Sequence, residues 1–361
     1  MPSDTLDLRA GLLQVVVDSA ATPLADNLDH LFHPFGHPLP DASQTGARLL
    51  EQLDVLDRCE VLSERLGDDD SRNLLLRFLA YRALGPAHVR LQLDPADYRQ
   101  AVQRLTAELA EQVGVLGLLR CPIEWQFHRY DLSRAGIPVR VIAQPLPLAS
   151  TFVFSQYAYR DASAGAQPRP GDVALDVGGC WGETALWLAH FVGDAGRVHT
   201  FEPAPKNREL LAANLQLNPA LEGRISVHGT ALAARPGETL WIPDVVAAGA
   251  QPQQERVPGD EQSMAAVETQ TIDALVASGA IPRVDFVKLD VEGAELDVLE
   301  GAAETIARQR PRLAIAIYHK PDDLATIPTF LDSLGVEYRW YLQCSTMTDV
   351  DTVAFAVPEP A

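Results

Sequence analysis

The chain has 361 residues, 47% hydrophobic and 22% charged, enough for one large or two ordinary soluble globular domains with a full core. Its net charge of −20 and sequence pI near 4.8 disfavour a nucleic-acid partner, because phosphate binding needs a basic face. No apolar run approaches a membrane span, the acidic N-terminus lacks the basic start of a signal peptide, and cysteines 59, 121, 180 and 344 show no metal-ligand spacing. Reduced thiols in a cytoplasmic protein without a membrane partner are expected.

Residues 1–43 mix short apolar runs with Asp, Pro and His, and no element is assigned to them. His30, His33 and His37 could form a metal cluster, but Pro34, Phe35, Gly36 and Pro38 make this a loop, where histidines are ordinarily solvated. From Arg48 to Leu66, the residues Leu49, Leu53, Leu56, Cys59, Leu62 and Leu66 recur at steps of three and four, which predicts an amphipathic helix. Ser71 can cap a second helix, carrying Leu74, Leu75, Phe78, Leu79 and Ala83, that stops at Gly85-Pro86. Asp94-Pro95 opens a third, with Tyr98, Val102, Leu105 and Leu109 as its stripe. Ile123, Trp125 and Phe127 then alternate with polar residues, and Ile137–Ala143 is a second extended run, so a small β-ribbon is expected. Phe152, Phe154, Tyr157 and Tyr159 follow as an aromatic seam that either lines a substrate cleft or packs two domains together. The Ala/Ser/Gly/Pro-rich stretch Asp161–Gly171 reads as a linker, which divides the chain into a mainly helical N-terminal domain, 1–160, and a second domain, 165–361.

The second domain opens on Asp172-Val173-Ala174-Leu175-Asp176-Val177-Gly178-Gly179-Cys180-Trp181-Gly182-Glu183. A short apolar strand, a glycine turn and a helix-forming run from Thr184 make the start of a nucleotide-binding α/β unit, although the turn is not a dinucleotide G-x-G-x-x-G. The glycines let the backbone approach a ligand, and the new helix offers free N–H groups. Arg197–Phe201 reads as the next strand, ending in Glu202-Pro203, an acid positioned to accept two ribose hydroxyls. A helix from about Pro205 to Leu217 and a strand at Ile225–Val227 follow. Thr239–Ile242 and Glu268–Ile272 look extended, around a Gln/Pro/Gly-rich loop over 243–266 that is either mobile or a lid over the substrate. Val284–Leu289 reads as a buried strand on which Lys288 and Asp290 share a face, with Glu292 and Glu295 just beyond, at the start of a helix to about Ala307. Leu313–Tyr318 is a fifth strand ending at His319, Asp322–Leu334 a helix, and Val336–Leu342 with Thr352–Val357 the closing strands. Strands alternating with helices in this way imply a doubly wound parallel sheet.

Four stretches together carry a family resemblance: Asp176-Val177-Gly178 through Gly182-Glu183-Thr184, Phe201-Glu202-Pro203, Thr271-Ile272-Asp273, and Lys288-Leu289-Asp290-Val291-Glu292-Gly293-Ala294-Glu295. The chain resembles the FkbM-type S-adenosylmethionine-dependent methyltransferases over about residues 170–320, and the segment from Ile317 to Tyr341 looks like a bacterial branch of that family. The resemblance implies a class I methyltransferase fold, a Rossmann-like α/β sheet with a closing antiparallel hairpin. It also implies O-methylation of a hydroxyl on a sugar, glycan or secondary metabolite. Asp176, Gly178, Gly179, Cys180, Gly182, Glu183, Glu202, Pro203 and Asp290 would then hold the cofactor, and Asp290, Lys288 and His319 are the candidate catalytic residues, with His319 as general base. The family often carries Ala-Asn-Ile where this chain has Gly179-Cys180-Trp181, so an Asn-type hydrogen bond is missing there. Two other readings stay open. Asp290, Glu292 and His319 could bind Mg²⁺ in a metal-dependent O-methyltransferase, or the fold could serve an inactive cofactor-sensing scaffold. The expected partner is a small-molecule or saccharide acceptor, with a homo-oligomer possible.

Overall fold

The structure is a computed structural model, and it describes residues 2–27, 42–116, 125–249, 253 and 264–360. His30, His33, His37, Cys121 and Ile123, singled out above, lie outside the described residues. Thirteen strands run through those described. They are β1 (Ala110–Leu116), β2 (Phe127–Asp131), β3 (Arg140–Ala143), β4 (Val173–Val177), β5 (Arg197–Phe201), β6 (Ile225–His228) and β7 (Ala231–Leu232), then β8 (Thr239–Pro243), β9 (Met264–Gln270), β10 (Phe286–Leu289), β11 (Arg312–Ala316), β12 (Tyr338–Cys344) and β13 (Thr352–Pro358).

Seven strands form one sheet in the order β12-β13-β11-β10-β4-β5-β6. The five from β11 to β6 are parallel, while β13 runs antiparallel to both β11 and β12. The chain leaves β4 through the helix Glu183–Val192 to β5 and through Pro205–Gln216 to β6, then returns to β10 on the other side of β4. That reversal opens a crevice at the carboxyl ends of β4 and β10, where open α/β sheets bind ligands. Strands β4, β10 and β11 are buried along their whole length, as sheets covered on both faces require. Besides Arg312 at the start of β11, two ionisable residues interrupt these apolar runs, Asp176 and Lys288. The register pairs Lys288 with Asp176, and Asp176 with Thr200, so all three stand in one row across adjacent strands.

The N-terminal region is helical, as expected, with different boundaries. Pro2–Ala20, left unassigned by its sequence, is a helix whose Leu8, Leu12 and Val16 are buried. The stripe from Arg48 to Leu66 is two helices, Ala42–Arg58 and Glu60–Glu64, broken at Cys59. The next helix, Asp69–Leu84, is capped by Asp68, whose side chain accepts from the Ser71 amide at 2.8 Å. The third, Pro95–Arg104, continues as a π-helical turn, Leu105–Leu109, and gives way to β1, which pairs with β2, itself paired with β3, in the expected ribbon, now three-stranded. Ile272, read as the end of a strand, instead begins the helix Ile272–Ala277, because the Thr271 side chain caps it by accepting from Ala274 N at 3.0 Å.

The N-terminal helices dock on the sheet through β12. Trp340 N donates to Arg65 O at 2.9 Å, and Gly67 N donates to Trp340 O at 2.8 Å. Leu75, Phe78 and Leu79 share one buried cluster with Trp340, Leu342 and the strands β4, β10 and β11. The opposite face packs Leu186, Trp187 and Phe286 against Tyr98, Tyr130 and Phe355. Replacing Trp340, which is 1% exposed, by alanine should cost about 3–5 kcal/mol through lost burial and the cavity left behind. Chemical denaturation measures this, and a change under about 0.5 kcal/mol, typical of a surface site, would remove Trp340 from the anchoring role.

Candidate active site

A cavity of about 790 Å³ opens at the carboxyl ends of β4, β5 and β10. Gly178, Cys180, Glu183, Glu202, Pro203 and Asp290, all expected at the site, line it. Asp176, Gly179, Gly182 and His319 stand behind that lining.

The turn after β4 is built by close backbone approaches. Gly178 has φ +84, and a Cβ there would meet the Asp290 carbonyl oxygen at 1.9 Å. A Cβ on Gly179 would meet Thr200 Oγ1 at 2.0 Å. Both amides donate to Phe201 O at 3.0 Å, which folds the turn over the end of β5. Asp176 is fully buried beneath this turn. Its Oδ1 accepts from Thr184 Oγ1 and its Oδ2 from Thr200 Oγ1, each at 2.9 Å. Lys288 Nζ lies 3.5 Å from Asp176 Oδ1 and donates to Gly178 O at 2.6 Å and Val177 O at 3.2 Å. Burial alone would push this ammonium down, but Asp176 and then Asp290 outweigh it and raise it above the ordinary lysine range. Asp176 and Lys288 therefore hold the turn in place from below.

Glu202 reaches back to the same turn. Its Oε2 accepts from Cys180 N and its Oε1 from Ala204 N, both at 2.8 Å. Burial pushes its carboxyl up to about 7 against these amide bonds. Glu183, at the first residue of the helix after the turn, is likewise pushed up to about 7 by burial, and its Oε2 has no hydrogen-bond partner. Burial, with Glu183 and Glu202 nearby, carries the Cys180 thiol well above its ordinary range, so it is an uncharged wall group. Asn207 fixes the rim by donating from Nδ2 to Ala247 O at 2.9 Å and accepting from Ala247 N at 3.1 Å. Residues 247–249 of the loop read above as mobile or as a lid thus line the cavity, while 250–252 and 254–263 lie outside the described residues.

The other end of the cavity is acidic. Asp290 Oδ2 accepts from Tyr157 OH at 2.7 Å, and its Oδ1 from Tyr318 OH at 3.2 Å. Tyr157 belongs to the aromatic seam, which therefore reaches the site. His319 Nε2 points at Asp290 Oδ1 (3.6 Å) and Glu292 Oε2 (3.4 Å), and Nδ1 lies 2.9 Å from Glu295 Oε1. Neither ring nitrogen makes a well-angled hydrogen bond. Burial lowers its affinity for a proton, but Glu292, Glu295 and Asp290 overcome this and lift the imidazole to about 10. A histidine in that state is already protonated at neutral pH, so it acts as a base only where the surrounding negative charge is neutralised. Asp351, on the β12–β13 turn at φ +63, also lines the cavity, with its carboxyl pushed up to about 7 by burial and then by Asp290. No motif marks it, because an acid in a Thr/Asp-rich stretch reads as an ordinary hairpin turn.

Residues 164–338 match the family model described as the methyltransferase FkbM domain. The chain carries an FkbM-type methyltransferase domain. It is 31% identical over 135 residues, 37% of its length, to the hexuronic acid methyltransferase AglP of Haloferax volcanii, and the match spans about half (52%) of that relative. In three dimensions 85% of the chain superposes on 60% of the methyltransferase FkbM from Methylobacillus flagellatus, with a TM-score of 0.52 at 19% identity, a likeness of fold. The fold of the FkbM-type domain is that of the class I methyltransferases, with the β12–β13 hairpin closing the sheet.

The buried pair makes a sharp expectation for this FkbM-type domain. Lys288→Met leaves the Asp176 carboxylate buried without its cation and should cost about 3–5 kcal/mol in denaturant unfolding. Adding Asp176→Leu should recover part of that loss. A single variant as stable as wild type would mean that Lys288 does not support the turn.

Proposed function

We propose that this protein is an S-adenosylmethionine-dependent O-methyltransferase that methylates a saccharide hydroxyl. The observation that carries the reading is Glu202, which lies at the end of the strand next to the glycine turn and faces a cavity whose other end is acidic. The residues present suit the cofactor. Glu202 can accept the ribose hydroxyls, and the Gly178–Gly182 turn with Glu183, whose buried Oε2 has no hydrogen-bond partner, would receive the cationic methionine end. When bound, the cofactor supplies an electrophilic methyl on a sulfonium sulfur, and the acceptor oxygen that takes it gives up its proton. The protein's part is alignment of the two reactants and removal of that proton. Asp290 and Glu292 present carboxylate oxygens at the acceptor end, and Tyr157 and Tyr318 hold Asp290 in orientation.

The name of the Haloferax volcanii relative supports a saccharide as acceptor. The net charge of −20 supports an acceptor other than nucleic acid, and no described helix is long and apolar enough to cross a membrane. A cytoplasmic location, a homo-oligomer and an accessory acceptor-binding role for residues 1–160 belong to the same reading. The acceptor chemistry is tested by offering neutral and uronic saccharides with cofactor labelled in the methyl group. Label that survives mild alkali is a methyl ether on a hydroxyl, as proposed. Label released by alkali is a methyl ester on a carboxylate, and would move the reaction to that group.

Cofactor binding is tested by calorimetry. Glu202→Ala should lose roughly 1.5–3 kcal/mol of affinity for S-adenosylmethionine, the worth of hydrogen bonds to a charged acceptor. Glu183 and Glu202, whose ordinary value is 4.5, are held at about 7 in the folded chain. The stability they confer is full below about 4.5 and is lost as pH rises through about 7. A cationic ligand favours their ionised forms, so the rise in melting temperature on adding S-adenosylmethionine should be larger at pH 8 than at pH 6. With the uncharged thioether S-adenosylhomocysteine the pH effect should be smaller. Equal shifts at both pH values would place the sulfonium away from these two acids.

A further inference from the structure

We infer that Asp290, Glu292 and His319 form a binding site for one divalent transition-metal ion, with a coordination position left open toward the cavity. Among the described residues this is the one group of three such side chains whose ligand atoms all fall within 4.8 Å of one another. The separations suit a small tetrahedral ion. With metal–ligand bonds near 2.1 Å, two donors on one tetrahedron are about 3.4 Å apart. The Nε2 of His319 lies 3.4 Å from Glu292 Oε2 and 3.6 Å from Asp290 Oδ1. Three protein ligands with a fourth position open is the arrangement of a reactive rather than a structural metal centre.

The groups behind the three ligands point the same way. Metal-binding histidines turn their second ring nitrogen to a carboxylate or carbonyl, which fixes the ring and the tautomer. The Nδ1 of His319 lies 2.9 Å from Glu295 Oε1, and that oxygen is itself held by the amides of Val291, at 2.9 Å, and Gly293, at 3.3 Å. Glu295 is fully buried. The tyrosine hydroxyls of Tyr157 and Tyr318 orient Asp290 in a corresponding way. The His319 side chain is only 7% exposed, and its Nε2 is aimed between two carboxylates without a hydrogen bond. With its proton released, that nitrogen and the two carboxylates turn their lone pairs to one point, which a cation would fill. Because one ligand is an imidazole and the spacing is tetrahedral, zinc and similar ions fit better than manganese or magnesium, which favour oxygen donors in octahedral sites. Asp290 and Glu292 line the cavity, so the open position faces the acceptor end. There the ion would hold an acceptor oxygen and ease loss of its proton. That last role rests on the methyl-transfer reading, whereas the metal site does not.

The test uses the full chain, stripped with a chelator that is then removed, and titrated separately with Mn²⁺, Zn²⁺ and Mg²⁺. Free Mn²⁺ is followed by electron paramagnetic resonance, and Zn²⁺ and Mg²⁺ by calorimetry. The expected result is one Zn²⁺ per chain, bound more tightly than Mn²⁺ or Mg²⁺. Binding should be lost in Glu292→Gln and His319→Gln, and weakened about 10–100-fold in Glu295→Gln, which touches the ion only through His319. Glu292 is part-exposed, so its variant should fold, and circular dichroism checks each protein before titration. Wild type that binds no more metal than Glu292→Gln overturns the site, as does equal binding by all three variants. S-adenosylhomocysteine affinity is measured on the same metal-free samples. Nucleoside binding without metal binding removes this inference and leaves the methyl-transfer reading standing. Metal binding without nucleoside binding does the reverse.

Discussion

The buried contact between Lys288 and Asp176 is the constraint on which the site depends. Neither residue belongs in a wholly buried strand on hydrophobic grounds, and each is tolerable only because the other is there. The parallel register of β4 and β10 makes them neighbours, and the next strand supplies Thr200 to the same row. Lys288 then spends its remaining donors on the carbonyls of Val177 and Gly178, at the point where β4 ends and the turn begins. Asp176 spends its oxygens on Thr184 in the following helix and Thr200 in the neighbouring strand. Three strands, a helix and a glycine turn are therefore tied to one charged pair. Of the two, Lys288 lines the cavity, and Asp176 stands behind it.

That arrangement explains which parts of the site were legible in the sequence. Strand periods, the glycine turn, the acid after β5 and the Lys-x-Asp-x-Glu-Gly-x-Glu run are local patterns, and they carried the sheet, its closing hairpin and part of the cavity wall. The direction in which Asp176 points was not local. On a buried strand both faces are covered, so alternation alone does not say whether an acid meets ligand or lysine. Element ends were missed where a side chain overrode propensity, as Asp68 and Thr271 do in capping helices three positions before the expected cap or in place of a strand. Asp351 was invisible because its surroundings come from Ser150, Gln156 and Asp290, far away in sequence.

The seam between the helical N-terminal region and the sheet was also a matter of partners rather than of composition. The Asp161–Gly171 stretch has the content of a linker, yet its neighbours on both sides are buried together. Tyr159 OH donates to Asp68 at 2.6 Å and its ring lies 4.9 Å from that of Tyr341 on β12. Gln343 on the same strand accepts from the Arg160 amide at 2.9 Å. Tyr157, two residues earlier, reaches Asp290. The aromatic seam is consequently both things its sequence allowed, a packing surface through Tyr159 and a cavity wall through Tyr157.

The cavity divides by charge chemistry into two ends. Around the glycine turn, burial holds Glu183 and Glu202 near 7, so each can adjust its proton to what binds. At the far end Asp290, Glu292 and Asp351 line the wall, with Lys320 nearby and His319 behind it. A neutral polyol can enter that end by donating hydroxyl hydrogens to the carboxylates, at little electrostatic cost. An anionic acceptor cannot, because bringing one more carboxylate into a poorly solvated group of acids costs several kcal/mol per pair at protein-like dielectric. A divalent ion at Asp290, Glu292 and His319 would offset most of the negative charge at that end and let an acceptor oxygen, charged or neutral, complete its coordination. On that proposal the acceptors admitted would depend on what cation sits among these acids, a choice left to three side chains at the ends of β10 and β11.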